Sequence, residues 1–397
     1  FFVSKLVQLL NKTFYYLTET KIMSQNIFRN FENFWDKNDI KKKAESYQNY
    51  YKNNKDEDFS WINEKDKDSL KKRTVKKSMK WGIPNHILGD IDKSKFIIGL
   101  LNPGTHMKEE ESEACNTVGE YIEHEIEIEK KENQNFSFTS KEVYEEHLNK
   151  ELNMYDFYYS HILSRENVLS QELKKLYKVY LNNNSLPEDN KILSQIAYYF
   201  SKYYKGGFHS KSTQIDSAKC HYERIFEKIN VAKRKADKKK IDQKFEKALF
   251  EMPITNIELI PYRTKESPND KLIGLESSKI SANAIIEKII QDKDTVVILR
   301  SYDREKEEDK EDKYNWKKLF ENICEERNIN FKEHIEPSIY TFKNDQGGSI
   351  SANSIKPANP NNSMKSEKQV AKELNESINL SDFEKELDNI IEANNNM

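Results

Sequence analysis

The chain is 397 residues long, 33% charged and only 36% hydrophobic, with a net charge of −2. That length admits one large domain with additions, or two domains, and the near-neutral charge excludes a global pull toward nucleic acid. Three widely spaced cysteines, Cys115, Cys220 and Cys324, exclude a disulfide framework and fit a reducing, cytoplasmic compartment.

Residues 1–17 (FFVSKLVQLLNKTFYYL) place Val3, Leu6, Leu10, Phe14 and Leu17 on one helical face. With Lys5 and Lys12 inside it, this segment is too short and too polar to span a bilayer, and it has no signal-type cleavage site. The segment therefore reads as sequence upstream of a start at Met23 or as a docking helix, with an interfacial anchor as the alternative. Polar and aromatic residues at helical spacing continue to residue 80, and the basic run Lys71–Lys77 falls near the end of this stretch. The breaker-rich WGIPNHILGD (81–90) leads into a buried strand over 95–101, whose apolar run suits a parallel sheet covered on both faces.

Residues 108–250 carry charge-laced helical patterns and a second basic stretch, Lys233–Lys240. Within this block Ile192, Ile196, Tyr199, Phe200 and Tyr203 form an apolar stripe that reads as core. From 254 the pattern predicts a strand over 254–262, a helix over 279–290 and a strand over 295–300. A helix over 314–327 and strands near 329–335 and 338–342 follow. Such alternation implies parallel pairing with right-handed crossovers. A Gly/Ser/Asn-rich loop and a linker with Pro357 and Pro360 come next. The chain closes on an amphipathic stretch with Val370, Leu374, Ile378, Phe383, Leu387 and Ile390, which either packs back or takes a protein partner. The expected architecture is a three-layer α/β/α fold around a short, mostly parallel sheet. It has a helical extension over 1–80, a core over 81–355 with a helical insertion at about 108–250, and a linker with a helical tail over 356–397.

Candidate chemistry gathers at the carboxyl ends of strands, where open α/β sheets bind ligands. Asn102, Pro103 and Gly104 follow the first strand. Asn256 lies in the second, with Tyr262 and Arg263 at its exit. Arg300 ends the third, and Ser349, Ser351 and Asn353 lie in the later loop. Amides, hydroxyls, a phenol and guanidiniums can orient a water and read the edge of a heterocycle, but they supply no strong general base. No metal-ligand spacing and no cofactor motif stands out, so neither a metal nor a cofactor is expected. An Asn-Pro-Gly sequence after a strand is also an ordinary turn. Both basic runs are balanced by neighbouring acids and read equally as solvated helix faces.

GLLNPG (99–104) resembles the first motif of the uracil-DNA glycosylase superfamily, in its mismatch-specific thymine/uracil branch. There an Asn stands in place of the usual water-activating Asp. TNIELIPYRT (255–264) is similar to that superfamily's second conserved strand, and the Ser/Asn-rich loop falls where its third motif would be. The resemblance covers 82–104 and 252–355, about a third of the chain. It implies a three-layer α/β/α protein that extrudes a nucleotide and hydrolyses its N-glycosidic bond. By that likeness Asn102 orients water, Pro103 and Gly104 shape the pocket floor, Asn256 reads the base, and 349–353 lie near the minor-groove wedge. The chain departs from the pattern in lacking a His-Pro-Ser third motif, in having no clear stacking aromatic after Gly104, and in its long insertion. The expected function is nucleobase or nucleotide recognition, with hydrolysis on Asn102 and nucleic acid met through Lys71–Lys77 or Lys233–Lys240. The alternative is a non-catalytic interaction or phage-defence-type protein on a degenerate scaffold of the same shape. One hollow lined by 102–104, 256–263 and 349–353 favours the first; a hollow filled by the chain's own side chains favours the second.

Overall fold

The run Phe96–Leu100 has no polar side chain on either face, so it is stable only with both faces covered. In the computed structural model it is β2, all five residues are buried, and it is the middle strand of a seven-stranded sheet. The structure describes residues 26–53, 59–70, 75–105, 107–132, 154–208, 214–264, 274–303, 315–344 and 348–393. The expectations for residues 1–22 and for Lys71–Thr74 lie outside those residues.

The other strands are β1 (Ile87–Leu88), β3 (Leu163–Ser164), β4 (Ile254–Glu258), β5 (Val296–Leu299), β6 (Ile339–Phe342) and β7 (Ile355–Pro357), in the order β3-β1-β4-β2-β5-β6-β7. β4, β2, β5 and β6 are parallel, with Ile98 opposite both Asn256 and Ile298. β1 runs antiparallel to β4, and β7 antiparallel to β6. Helix Glu276–Gln291 connects β4 to β5, and helix Trp316–Glu326 connects β5 to β6.

Alternation along the strands sends side chains to two separate cores. Ile97, Ile257, Val297 and Leu299 face a core built with helices Phe28–Phe34, Lys37–Asn53, Val118–Glu132, Met154–Ile162 and the two crossover helices. Phe96, Ile98, Leu100, Ile254 and Ile298 face a second core made by helices Val168–Asn183, Gln214–Lys235 and Lys238–Phe250. The sheet between two helical layers is the three-layer α/β/α arrangement that the alternation predicts. Residues 108–250 supply both layers, and they also carry strand β3. Among the described residues no helix is long and apolar enough to cross a membrane.

The C-terminal stretch packs back onto the second core. Helices Glu367–Ile378 and Ser381–Ala393 bury Val370, Leu374, Ile378, Phe383 and Leu387. Arg224 and Lys228 pair with Glu384 at 2.8 Å, and the Tyr222 hydroxyl donates to the Ile378 carbonyl at 2.7 Å.

Two strand expectations need correction. Residues 329–335 are not a strand: helix Phe331–His334 occupies them, and the Ile335 N–H donates to the Phe331 carbonyl at 3.0 Å. Phe331 and Ile335 are four apart, the helical spacing, which outweighs the alternation of Ile329 with Phe331. β4 ends at Glu258 rather than at 262, because Pro261 cannot donate to a ladder.

Close packing of the sheet rests on Gly99. A Cβ there would lie 2.3 Å from Leu299 Cδ2 and 3.2 Å from the Trp316 ring. Gly99→Ala is expected to destabilise the fold by about 1–3 kcal/mol, through overpacking that Leu299 relieves only in part. Urea denaturation would read this as a lower midpoint at unchanged slope.

Candidate functional site

The register sets one row of side chains across the carboxyl end of the sheet. Leu100 of β2 is opposite Glu258 of β4, and the Arg300 N–H donates to the Gly99 carbonyl at 2.8 Å, which places Arg300 beside Leu100 on the same face. Glu258 and Arg300 are two strand spacings apart, roughly 10 Å between Cα atoms. One row below, Asn256 stands beside Ile98, Ile298 and Tyr340. A tyrosine-rich turn covers these rows: helix Tyr198–Lys202, then Tyr203, then the 3-10 turn Tyr204–Gly207.

Asn256 is 4% exposed and Glu258 is 3% exposed. The Tyr204 hydroxyl donates to Asn256 Oδ1 at 2.5 Å, while Asn256 Nδ2 and Glu258 Oε2 are buried without a hydrogen-bond partner. Each such atom costs roughly 1–3 kcal/mol. Burial pushes the Glu258 carboxyl up to about 8, against the opposing pull of the Arg300 and Arg263 charges and a hydrogen bond with Tyr199. At neutral pH Glu258 is therefore mainly a carboxylic acid, with one O–H to donate. Burial, then the Glu258 charge, also holds the Tyr199 phenol well above its ordinary value. Tyr198, half exposed, Tyr199 and Tyr203 form a ring cluster with centroids 5.5–6.3 Å apart. Tyr203 also lies 3.4 Å from the Arg300 guanidinium. Just past Arg300, Ser301 takes the left-handed conformation at φ 58°, the kind of local strain found at sites.

Part of the sequence-derived set meets here. Asn256 and Arg300 belong to the row itself. The later loop abuts it through the buried Ile350, whose N–H donates to the Tyr203 carbonyl at 2.7 Å. Gly206 is required at this crossing, since a Cβ there would lie 2.3 Å from the Ile350 carbonyl oxygen. The polar members of the loop serve it internally or face outward. Ser349 donates to Gln214 at 2.9 Å, Ser351 engages Ser354, and Asn353 is exposed.

The remaining members are tied elsewhere. Beyond β2 and β4 the chains stay paired, with Leu259 donating to the Leu100 carbonyl and Ile260 to that of Leu101. Asn102 is half-buried, and its Nδ2 lies 3.1 Å from the Thr264 carbonyl, the Thr264 hydroxyl and the Pro103 carbonyl. Both amide hydrogens are thus committed to closing this loop, while Gly104 is exposed with open space around its Cα. Arg263 clamps neighbouring loops, donating to the Ile83 carbonyl at 2.7 Å and approaching that of Gly104 at 3.2 Å. Tyr262 points into the opposite core, where its hydroxyl donates to Asp66 at 2.7 Å and accepts from the Asn63 N–H at 3.0 Å.

Glu172 and His86, two other buried titratable groups, have structural partners. The Glu172 carboxylate accepts from the Tyr199 and Phe200 N–H groups, capping helix Tyr198–Lys202, and burial raises it to about 7. His86 accepts from Trp35 Nε1 at 2.8 Å through Nδ1, and its Nε2 lies 2.8 Å from Ser281 Oγ. Among the described residues no cluster of His, Cys, Asp and Glu could hold a metal ion. Part of the described basic residues in the two runs is engaged internally, while Arg234 and Lys238–Lys240 are exposed. Lys77 donates to the Glu113 and Cys115 carbonyls, Lys76 pairs with Glu109, Lys233 with Asp242, and Lys235 donates to the Ile391 carbonyl.

Glu258, Tyr199, Tyr203 and Tyr204 are the members that reading the sequence for sites passes over. The signal for Glu258 was a carboxylate flanked by Ile257, Leu259 and Ile260 at the end of a strand, which burial makes chemically unusual. No protein-family model, curated protein or solved structure matches the chain.

Proposed function

We propose that this protein recognises a nucleobase or a small nucleobase-bearing molecule at the carboxyl end of β4 and β5, and binds it without cleaving a glycosidic bond. The observation that carries the reading is the pair of buried, unpartnered polar atoms, Asn256 Nδ2 and Glu258 Oε2, two residues apart on one face of one strand. An amide N–H beside a protonated carboxyl matches a planar ring that carries an acceptor next to a donor. Tyr198, half exposed and backed by Tyr199 and Tyr203, offers a ring face for stacking, and Arg300 offers a positive charge for a phosphate or carbonyl.

Hydrolysis with water held by Asn102 is the weaker half of the expectation, because Asn102 is held in the paired loop beyond β2 by Thr264 and Pro103, apart from the row that carries Glu258 and Arg300. The chain's own tyrosines and Ile350 also occupy the space above Asn256, the arrangement that favours a non-catalytic protein, so on this reading a ring enters only as the Tyr198–Tyr204 turn moves aside.

Calorimetry and thermal shift with uracil, thymine, cytosine, adenine and guanine, and with their nucleosides and nucleotides, test this. At least one ring is expected to bind. Asn256→Leu and Glu258→Leu are each expected to weaken it about 5- to 100-fold, the effect of one buried hydrogen bond at roughly 1–3 kcal/mol, whereas Glu258→Gln, which keeps a donor and an acceptor, is expected to retain it. Asn102→Ala is expected to leave affinity unchanged, and chromatography is expected to find no freed base. Binding by no member of the panel, with the protein folded, would sink the reading.

A further inference from the structure

A second site lies far along the chain from this row, where helix Lys37–Asn53 meets the segment 59–62 and helices Glu64–Leu70 and Lys77–Trp81. A groove of about 570 Å³ opens there, within the size range of small-molecule sites. Lys42, Lys43, Lys67 and Lys80 line it together with Tyr50 and Phe59, and no carboxylate is among the described residues that line it. The Lys43 ammonium is anchored, donating to the Ile62 carbonyl at 2.9 Å, and its side chain is only 14% exposed. Asp39 and Glu64 approach Lys43 and Lys67 from outside the groove, at 3.6 and 2.5 Å. Among the described residues Lys42 and Lys80 have no ion pair. The Tyr50 and Phe59 rings meet edge to face at 5.7 Å, so one wall is aromatic.

Lys42 and Lys80, without an ion pair among the described residues, together with the acid-paired Lys43 and Lys67, raise the local potential and favour an anion. Lys43 carries the mark of this crowding: burial, and then repulsion from Lys67, lower its pKa, while Asp39 pulls the other way. Point-charge lysines beside the half-buried Tyr50 ring, which the buried Phe59 backs, form a combination that can hold a nucleotide's phosphate and its base.

We propose that this groove binds a nucleotide, either free or as part of a single strand, with the lysines on phosphate and Tyr50 against the base. The site is independent of the row around Glu258, so either one can fail alone.

The test is fluorescence anisotropy with a labelled eight-residue oligothymidylate at 50 mM salt, with thymidine monophosphate and inorganic phosphate as competitors. The combined variant Lys42→Glu, Lys80→Glu changes two surface groups and should fold with an unchanged Tm. It is expected to bind at least 10-fold more weakly, and the slope of log K against log salt should flatten by about 1–1.5 for two lost cations. Tyr50→Ala should weaken binding several-fold, whereas Lys368→Glu on the C-terminal helix and Glu258→Gln should leave it unchanged. Full competition by the mononucleotide identifies the free form, and competition by the oligomer alone identifies the strand; either supports the site. Failure to bind, equal binding by the double variant, or phosphate competing as well as the nucleotide would overturn it.

Discussion

Replacing His86 with alanine is expected to destabilise the protein by about 3–5 kcal/mol, from a core cavity plus an orphaned donor. The ring is fully buried and packs edge-on against Phe31 at 4.8 Å and Phe34 at 5.9 Å. Because Trp35 Nε1–H needs an acceptor, the neutral ring keeps its proton on Nε2 and donates to Ser281 Oγ. Ser281 in turn donates to the Glu258 carbonyl at 2.9 Å. One ring thus couples an N-terminal helix, a crossover helix and the central strand β4. Burial lowers its pKa from 6.5 to about 3. The unfolded chain takes up a proton that the folded ring refuses, so this contribution is full above pH 6.5 and is lost as pH falls toward 3. The loss reaches up to about 5 kcal/mol. Urea titrations at pH 7 and pH 4.5 check both statements. A loss under 1 kcal/mol at pH 7, or an acid limb that His86→Gln leaves unchanged, contradicts the account.

Glu258 has the opposite sign. Its folded pKa of about 8 exceeds the ordinary value of 4.5, so the folded state holds a proton that the unfolded chain releases. Its contribution is full below pH 4.5, declines as pH rises, and is gone above about 8, a swing of up to about 5 kcal/mol. Glu258→Gln keeps the shape and removes the charge. The variant is expected to be close to the wild type at pH 5 and more stable by several kcal/mol at pH 9, read as Tm by calorimetry. Glu172, raised to about 7, has the same sign but is present in both proteins, so it cancels in the difference. Parallel Tm curves from pH 5 to 9 would show that Glu258 is ionised in the fold. Ligand affinity at the Glu258 row should fall over the same alkaline range, because the O–H donor disappears.

The central strands were legible because FIIGL and TVVILR are apolar runs with no amphipathic reading. The helices over 279–290 and 314–327 declared themselves by their apolar spacing. The short strands did not, because β1, β3 and β7 hold two or three residues each and exist by pairing rather than by pattern. At the candidate site, Asn256 and Arg300 were found because strand ends are a general prior. Asn102 was picked out by a motif, yet its loop pairing with Thr264 spans a sequence distance that no local pattern reports. Tyr199 and Tyr203 were read as core, which their burial supports, but the polar row they cover depends on register across three strands.

The parallel pairing of Phe96 with Ile254 has a consequence for biosynthesis. A ribosome adding about 5–20 residues per second needs on the order of ten seconds or more to emit the partner after β2 has left the tunnel. Throughout that interval the sticky pentapeptide FIIGL is a nascent segment without its mate. Holding chaperones, or early docking of the N-terminal aromatic helices over it, would set the yield of correctly made protein.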